Sequence, residues 1–249
     1  MATTVSDGGR DPDRYRAAQL GLTRLLVRDV RGLRRLIIPS RLRTSVPDWI
    51  AAVQAVVEQY ARTSAALGAE FYDAQRDGAG VIGSFTVPVA DPPPAEQSEA
   101  SLRWATKDVW ERDTDIATEA QLQPLDMRLE QAEKKSEQVA QKLVVDAGRG
   151  TVRDAVQADR QAVAWARTAA LGACAFCRML SIRGAVYKQD TVDFQSHSGC
   201  HCLALPVFRG QRFELSDKAK EWERLYREYA APYSGDQLRR FRRAIAEHG

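Results

Sequence analysis

All four cysteines of this chain fall in one window, Cys174-Ala-Phe-Cys177 and then His197-Ser-Gly-Cys200-His201-Cys202. A Cys-x-x-Cys pair followed by His-x-x-Cys-x-Cys offers five candidate ligands for a soft, four-coordinate metal ion. Structural zinc is held by four nitrogen or sulfur donors in a tetrahedron, usually from two such short clusters. In an extended segment the side chains of Cys200 and Cys202 point to one side and that of His201 to the other. The two thiolates can then close on an ion held from the opposite side by the Cys174/Cys177 turn. The expected ligands are Cys174, Cys177, Cys202 and Cys200, with His197 as the alternative to Cys200. If it does not ligate, His197 is suited to orienting a ligand from outside the coordination sphere.

Other chemistries are open to these residues. Two disulfides would need an oxidising compartment. The stretch Met1-Ala-Thr-Thr-Val-Ser-Asp-Gly-Gly-Arg10 has no apolar core of a signal peptide, and no run is apolar enough to span a membrane. Reduced, incidental thiols are the plainest alternative. A thioredoxin-like role for Cys174 and Cys177 calls for a βαβ context, whereas the residues before Cys174 read as helix. A catalytic zinc keeps an open position and brings a neighbouring acid or base. There is no His-Glu-x-x-His motif, and His197 and His201 are not followed by the Glu of a zinc deaminase. No Ser/His/Asp set is recognisable either. A closed structural site is expected, with no catalytic residues and no enzymatic activity.

The elements that must carry this window read as mainly helical, an α+β chain with an amino-terminal helical hairpin, long central helices and a small zinc-stabilised, β-containing knob. Residues 1–10 are expected to be a disordered tail. A hairpin over 11–80 follows: Leu22, Leu25, Leu26, Leu33 and Ile37 form one helical face, to be packed on Ile50, Val53 and Val57 of a second helix opened by Ser45-Val-Pro47-Asp48. Residues 81–124 read as an irregular linker, with a β-prone run at Ser84–Pro88, a rigid Asp91-Pro-Pro-Pro94 and a short helix near Leu102 and Trp104. Within 125–212 one helix is expected to run to Ala147 with an exposed polar middle at Glu133–Glu137. Gly148-Arg-Gly150 should end it, and Thr151 should cap a second helix running through Trp165 into Cys174. Two β-prone stretches then lie at 184–187 and 202–208. Residues 213–249 close the chain with two helices.

The net charge is only +3, but it is unevenly spread. Arg24, Arg28, Arg31 and Arg35 form a stripe opposite the apolar face of the first helix, and Arg239, Arg240, Arg242 and Arg243 crowd the last. Such patches suit an acidic partner, protein or nucleic acid, and are otherwise solvated helix faces. The four-arginine stripe is the expected partner-binding surface. Aromatic residues interleaved for single-strand binding are absent from it.

Gly148-Arg149-Gly-Thr151, Asp159, Trp165-Ala-Arg167, Cys174-Ala-Phe-Cys177, Arg183-Gly184-Ala-Val-Tyr187 and His197-x-x-Cys200-x-Cys202 together resemble the minor head proteins of tailed phages similar to the F protein of phage Mu. The likeness is nearest to the forms found in phages of actinobacteria, and a weaker likeness extends over most of the chain. In that family Pro usually follows the His of the last element, where this chain has Ser198. The resemblance implies a virion protein of few copies, associated with the portal and head interior and acting in head assembly or in DNA packaging and delivery. Its implied partners are the portal or other head proteins, with packaged DNA contacted without sequence specificity and no membrane involved; its location would be the virion, after assembly in the host cytoplasm. The competing expectation is a zinc-stabilised nucleic-acid-binding protein whose arginines hold phosphates, with Arg149, Arg239, Arg240, Arg242 and Arg243 able to neutralise a handful of them.

Overall fold

The computed structural model describes residues 3–111, 115–170, 172–188, 199, 200 and 202–249, and His197 and His201 lie outside them. The fold is mainly α with a small sheet portion, as expected. Helix α1 (Arg10–Gly32) turns its Tyr15, Gln19, Thr23, Leu26 and Val30 inward, a spacing of about four residues that keeps one face down. Leu25, expected in that face, is 45% exposed, because the stripe is centred on Leu26 and Val30. After a 3-10 turn at Leu33–Leu36, helix α2 (Leu42–Gly78) begins one turn before Ser45. The Ser45 hydroxyl therefore does not cap α2. It accepts from the Ile38 amide at 3.0 Å and donates to the Arg41 carbonyl at 2.9 Å, tying the connection to the helix.

The hairpin packs as expected, with Leu26, Val30 and Ile37 meeting Val46, Trp49, Ile50, Val53 and Val57. It is not a separate unit, however. Helix α4 (Leu125–Ala158) lies along both helices, and its Leu129, Ala132, Ala140 and Val144 complete the same core. Two expectations for α4 are corrected. Its polar middle is exposed only in part: Lys134 faces solvent, but Ser136 and Glu137 are buried, and Arg31 grips the Glu137 carboxylate at 2.6 and 3.0 Å. Nor does Gly148-Arg-Gly150 end the helix. A β-carbon at Gly148 would stand 2.7 Å from the Ser64 carbonyl oxygen, and one at Gly68 would stand 2.6 Å from that of Gly148. These glycines let α2 and α4 approach backbone to backbone, which is a use of glycine other than termination.

Thr151, expected as a cap, lies inside α4; its hydroxyl accepts from the Ala90 amide at 3.0 Å and fixes the proline-rich segment. The run Ser84–Pro88 forms no strand. Helix α3 (Ala95–Thr106) then packs on α4 through Leu102 and Ala105.

The helix expected to run through Trp165 is a strand. Helix α4 stops at Asp159, whose carboxylate accepts from Arg76 Nε at 3.0 Å, from the Tyr72 hydroxyl at 3.2 Å and from the Gln161 amide at 2.9 Å. Strand β2 (Ala162–Thr168) follows, and after it helix α5 (Ala175–Ser181), strand β3 (Tyr187–Lys188) and strand β4 (Leu203–Phe208). The sheet order is β3-β2-β4, antiparallel, with Trp165 opposite Tyr187 and stacked on it at 4.4 Å. Alanine-rich composition favoured helix locally, but burial of Trp165 between sheet and body overrides that propensity.

Residues 3–10, expected within a disordered tail, are ordered. Strand β1 (Thr3–Ser6) pairs in parallel with strand β5 (Gln211–Glu214), Val5 opposite Phe213. The Asp7 carboxylate next accepts from the Ser216 amide at 2.6 Å and the Ser216 hydroxyl at 3.0 Å. Ser216 in turn caps helix α6 (Asp217–Tyr229), and helix α7 (Gln237–His248) folds back on it through Phe241 and Ala244. No helix among the described residues is long and apolar enough to cross a membrane.

Candidate metal centre

Cys174 is the residue just before α5 and is exposed; Cys177 lies in the first turn of α5 and is buried. Cys200 and Cys202 approach the start of β4, and both are buried. The three buried thiols come within 4.8 Å of one another, and the Cys177 and Cys200 sulfurs are 3.5 Å apart. That is far too long for a disulfide, whose sulfurs lie about 2.05 Å apart. It is close to the edge of a zinc–thiolate tetrahedron, which is about 3.8 Å for zinc–sulfur bonds of about 2.3 Å. Three expected ligands thus converge as three vertices of such a polyhedron. Cys174 lies near them, outside the tightest group, and the alternative ligand His197 falls outside the described residues.

The electrostatics favour thiolate at Cys200 and the neutral thiol at Cys177 and Cys202. The Cys200 thiol is held far below its ordinary range, first by hydrogen bonds from Cys177 and Cys202 and further by the charge of Arg149. Cys177 is pushed up, chiefly because it donates to Cys200 and then to Cys202, with burial adding to the effect. Cys202 rises to about 11: its contact with Cys177 lowers it, but its contact with Cys200 and its burial outweigh that, against a lowering pull from Arg167. An ion bound here would have to displace the protons of Cys177 and Cys202, since metal and proton compete for the same lone pairs.

Arg149 is the site residue that sequence reasoning misplaced. Grouped with the surface arginines as a phosphate contact, it is 4% exposed. Its guanidinium donates to the Cys202 carbonyl at 3.0 Å, to the Cys200 carbonyl, and to Asp146 at 2.7 Å. The small residues on either side of it, Gly148 and Gly150, were the available signal: an arginine between glycines on a helix marks close approach by another segment. Arg178 plays a similar part on the far side, its guanidinium 4.9 Å above the Trp222 ring while Nε donates to the Ala173 carbonyl at 2.8 Å.

The context of the Cys-x-x-Cys pair also differs from expectation. A strand, not a helix, precedes it, so the reason given against thioredoxin-like chemistry fails in that form. The neighbouring sheet is nevertheless antiparallel, without the parallel βαβ unit that such a motif uses, and a third thiol sits beside the pair. Arg24, Arg28, Arg31 and Arg35 of the stripe are all exposed; Arg28 pairs with Asp29, and Arg31 with the Glu137 carboxylate. On α7, Arg239, Arg240, Arg242 and Arg243 are all exposed.

A family model described as VG15 protein matches residues 8–229, which covers the helical body, the sheet and the cysteine cluster, and suggests a phage-encoded protein. No curated protein matches, and no solved structure matches.

Proposed function

The chain belongs to the VG15 protein family, and from that premise we propose that it is a minor capsid protein of a phage head, associated with the portal and the head interior, with a structural zinc ion as its brace. The observation that carries this reading is the family match over residues 8–229, joined to the residues quoted above that resemble the minor head proteins. The geometry supports a structural, non-enzymatic role. The thiol cluster lies where α5, β4, α6 and α7 meet, and its neighbours in the same core are Trp222, Leu225 and Phe241. An ion there would fix the carboxyl-terminal helices against the body rather than face a substrate.

Zinc suits the donor set: soft thiolates, a tetrahedral spacing and no redox demand. Residues Cys177, Cys200 and Cys202 would hold it, with Cys174 or His197 completing four. When bound, zinc would supply a rigid crosslink between segments that share few large side chains, worth about 10 kcal/mol of apparent folding free energy in small sites.

The test is whether the chain travels with heads. Mass spectrometry of purified virions, and of portal captured from infected cells, is expected to find the protein at low copy number in both. Its absence from both, with abundant free protein in the cytoplasm, sinks the reading. The second reading, nucleic-acid binding, is favoured by the exposed arginines of α7. It predicts duplex affinity that ignores sequence and falls with salt at about 0.9 log units per phosphate contact. Tight binding to one sequence would promote a regulator instead.

A further inference from the structure

Among the described thiols one pair stands out by distance. The Cys177 and Cys200 sulfurs lie 3.5 Å apart, inside a group of three that all fall within 4.8 Å of one another. A disulfide holds its sulfurs at about 2.05 Å, which leaves a gap of about 1.5 Å for rotation of the two side chains to close. The other pairings are poorer. Cys200 and Cys202 are separated by one residue at the entrance to β4, and a bridge there would pucker the backbone that sets Leu203 against Thr168. Cys174 is exposed and lies outside the tightest group. Burial selects among reactions as well. Cys177 is 1% and Cys200 6% exposed, which holds off the thiol of a second chain but leaves the Cys200 edge open to an oxidant little larger than water.

We propose that Cys177 and Cys200 are a site of reversible covalent modification: in a chain that carries no ion, hydrogen peroxide joins them in an intramolecular disulfide. The Cys200 sulfur attacks one peroxide oxygen, the O–O bond breaks, and Cys200 becomes a sulfenic acid as a first water leaves. The Cys177 sulfur then attacks the Cys200 sulfur, and the hydroxyl departs with the Cys177 proton as a second water. Two thiols are oxidised, one peroxide is reduced, and no other reactant is needed. The bond runs from the first turn of α5 to the approach of β4, the two segments that an ion would also join. Ion and disulfide draw on the same sulfur electron pairs, so each excludes the other. The disulfide itself needs no zinc, and it would keep the knot closed where an ion is missing.

The experiment uses the full chain, stripped of metal by a chelator, freed of reductant and treated with stoichiometric hydrogen peroxide. Remaining thiols are alkylated, and bridged tryptic peptides are identified by mass spectrometry. Trypsin leaves Cys174 with Cys177 and Cys200 with Cys202, so serine variants assign the pair. The bridge between these two peptides is expected in the wild type, in Cys174→Ser and in Cys202→Ser, and is expected to be lost in Cys177→Ser and Cys200→Ser. Fragment ions of the wild-type bridge give the same assignment should a variant fold poorly. Dithiothreitol is expected to restore all four alkylatable thiols, and the bridged chain to keep the hydrogen-exchange protection of α5 and β4 that the reduced, metal-free chain loses. Zinc added before peroxide is expected to slow bridging on the order of tenfold or more. A bridge from Cys174 to Cys177, bridges between chains, or four thiols still alkylatable after peroxide would overturn the proposal. A chain that bridges Cys177 to Cys200 at the same rate with and without zinc upholds this site and overturns the zinc reading alone.

Discussion

The helical body and the carboxyl-terminal knot are built on different principles. In the body, Leu26, Val30, Trp49, Val53, Leu102 and Val144 are fully buried, and each long helix contributes its own apolar stripe. In the knot the segment carrying the cysteines contributes mainly Ala169, Ala175 and the thiols, while the large side chains, Trp222, Leu225 and Phe241, come from α6 and α7. A stripe repeated every three or four residues is redundant, and loss of one member leaves the rest in contact. A few donors around one point are not redundant. On the metal reading proposed above, the same chain would hold one half by area and the other half by coordination, and the two halves should fail separately.

On that reading, the sharpest way to break the comparison is to remove the proposed ion. Chelation at neutral pH, or Cys177→Ser, is expected to remove stabilisation of the knot on the order of 10 kcal/mol, so that residues around 169–249 lose hydrogen-exchange protection while α1, α2 and α4 keep theirs. Equal loss in both regions would mean that they form one cooperative unit. Next in size is Asp159→Ala, which strands the buried Arg76 where α2 meets the end of α4. A cost of about 3–5 kcal/mol is expected, read by urea denaturation, and it should fall on the body even in metal-loaded protein. Gly148→Ala presses a methyl group onto the Ser64 carbonyl; overpacking of about 1–3 kcal/mol should outweigh the gain in helix propensity. A stabilised variant would show that the two backbones can part at little cost. The smallest effect is expected at Ser216→Ala, about 1 kcal/mol for a lost helix cap, and confined to α6 and the knot.

The two regions also differed in how legible they were. Periodicity placed the hairpin, α3, α6 and α7, because amphipathic helices write their burial into the spacing of Leu26, Val30 and Val53. The cysteine cluster was legible for a different reason: thiols at paired spacings are rare enough to be read without a fold. What could not be read were the elements decided by tertiary contact. Gly148 looks like a helix stop until Gly68 is seen across from it. The stretch Ala162–Thr168 has helix-forming composition and becomes a strand because β4 supplies a ladder from forty residues away. Arg149 looked like surface charge, since nothing local tells a solvated arginine from one that clamps another segment. The same non-local pairing turned the expected tail into β1.

That pairing of Thr3–Ser6 with Gln211–Glu214 has a consequence for the order of events during synthesis. The partners are roughly two hundred residues apart in sequence, so β1 has nothing to pair with until residues 211–214 have left the ribosome. Helices α1, α2 and α4 can assemble while translation continues, since their contacts close earlier. Strand β1 and Asp7 wait, and only when Ser216 arrives can they fasten the last helices to the first. A messenger that pauses before codon 211 should therefore yield nascent chains with a protected helical body and an amino terminus still open to proteolysis, a seam that closes last.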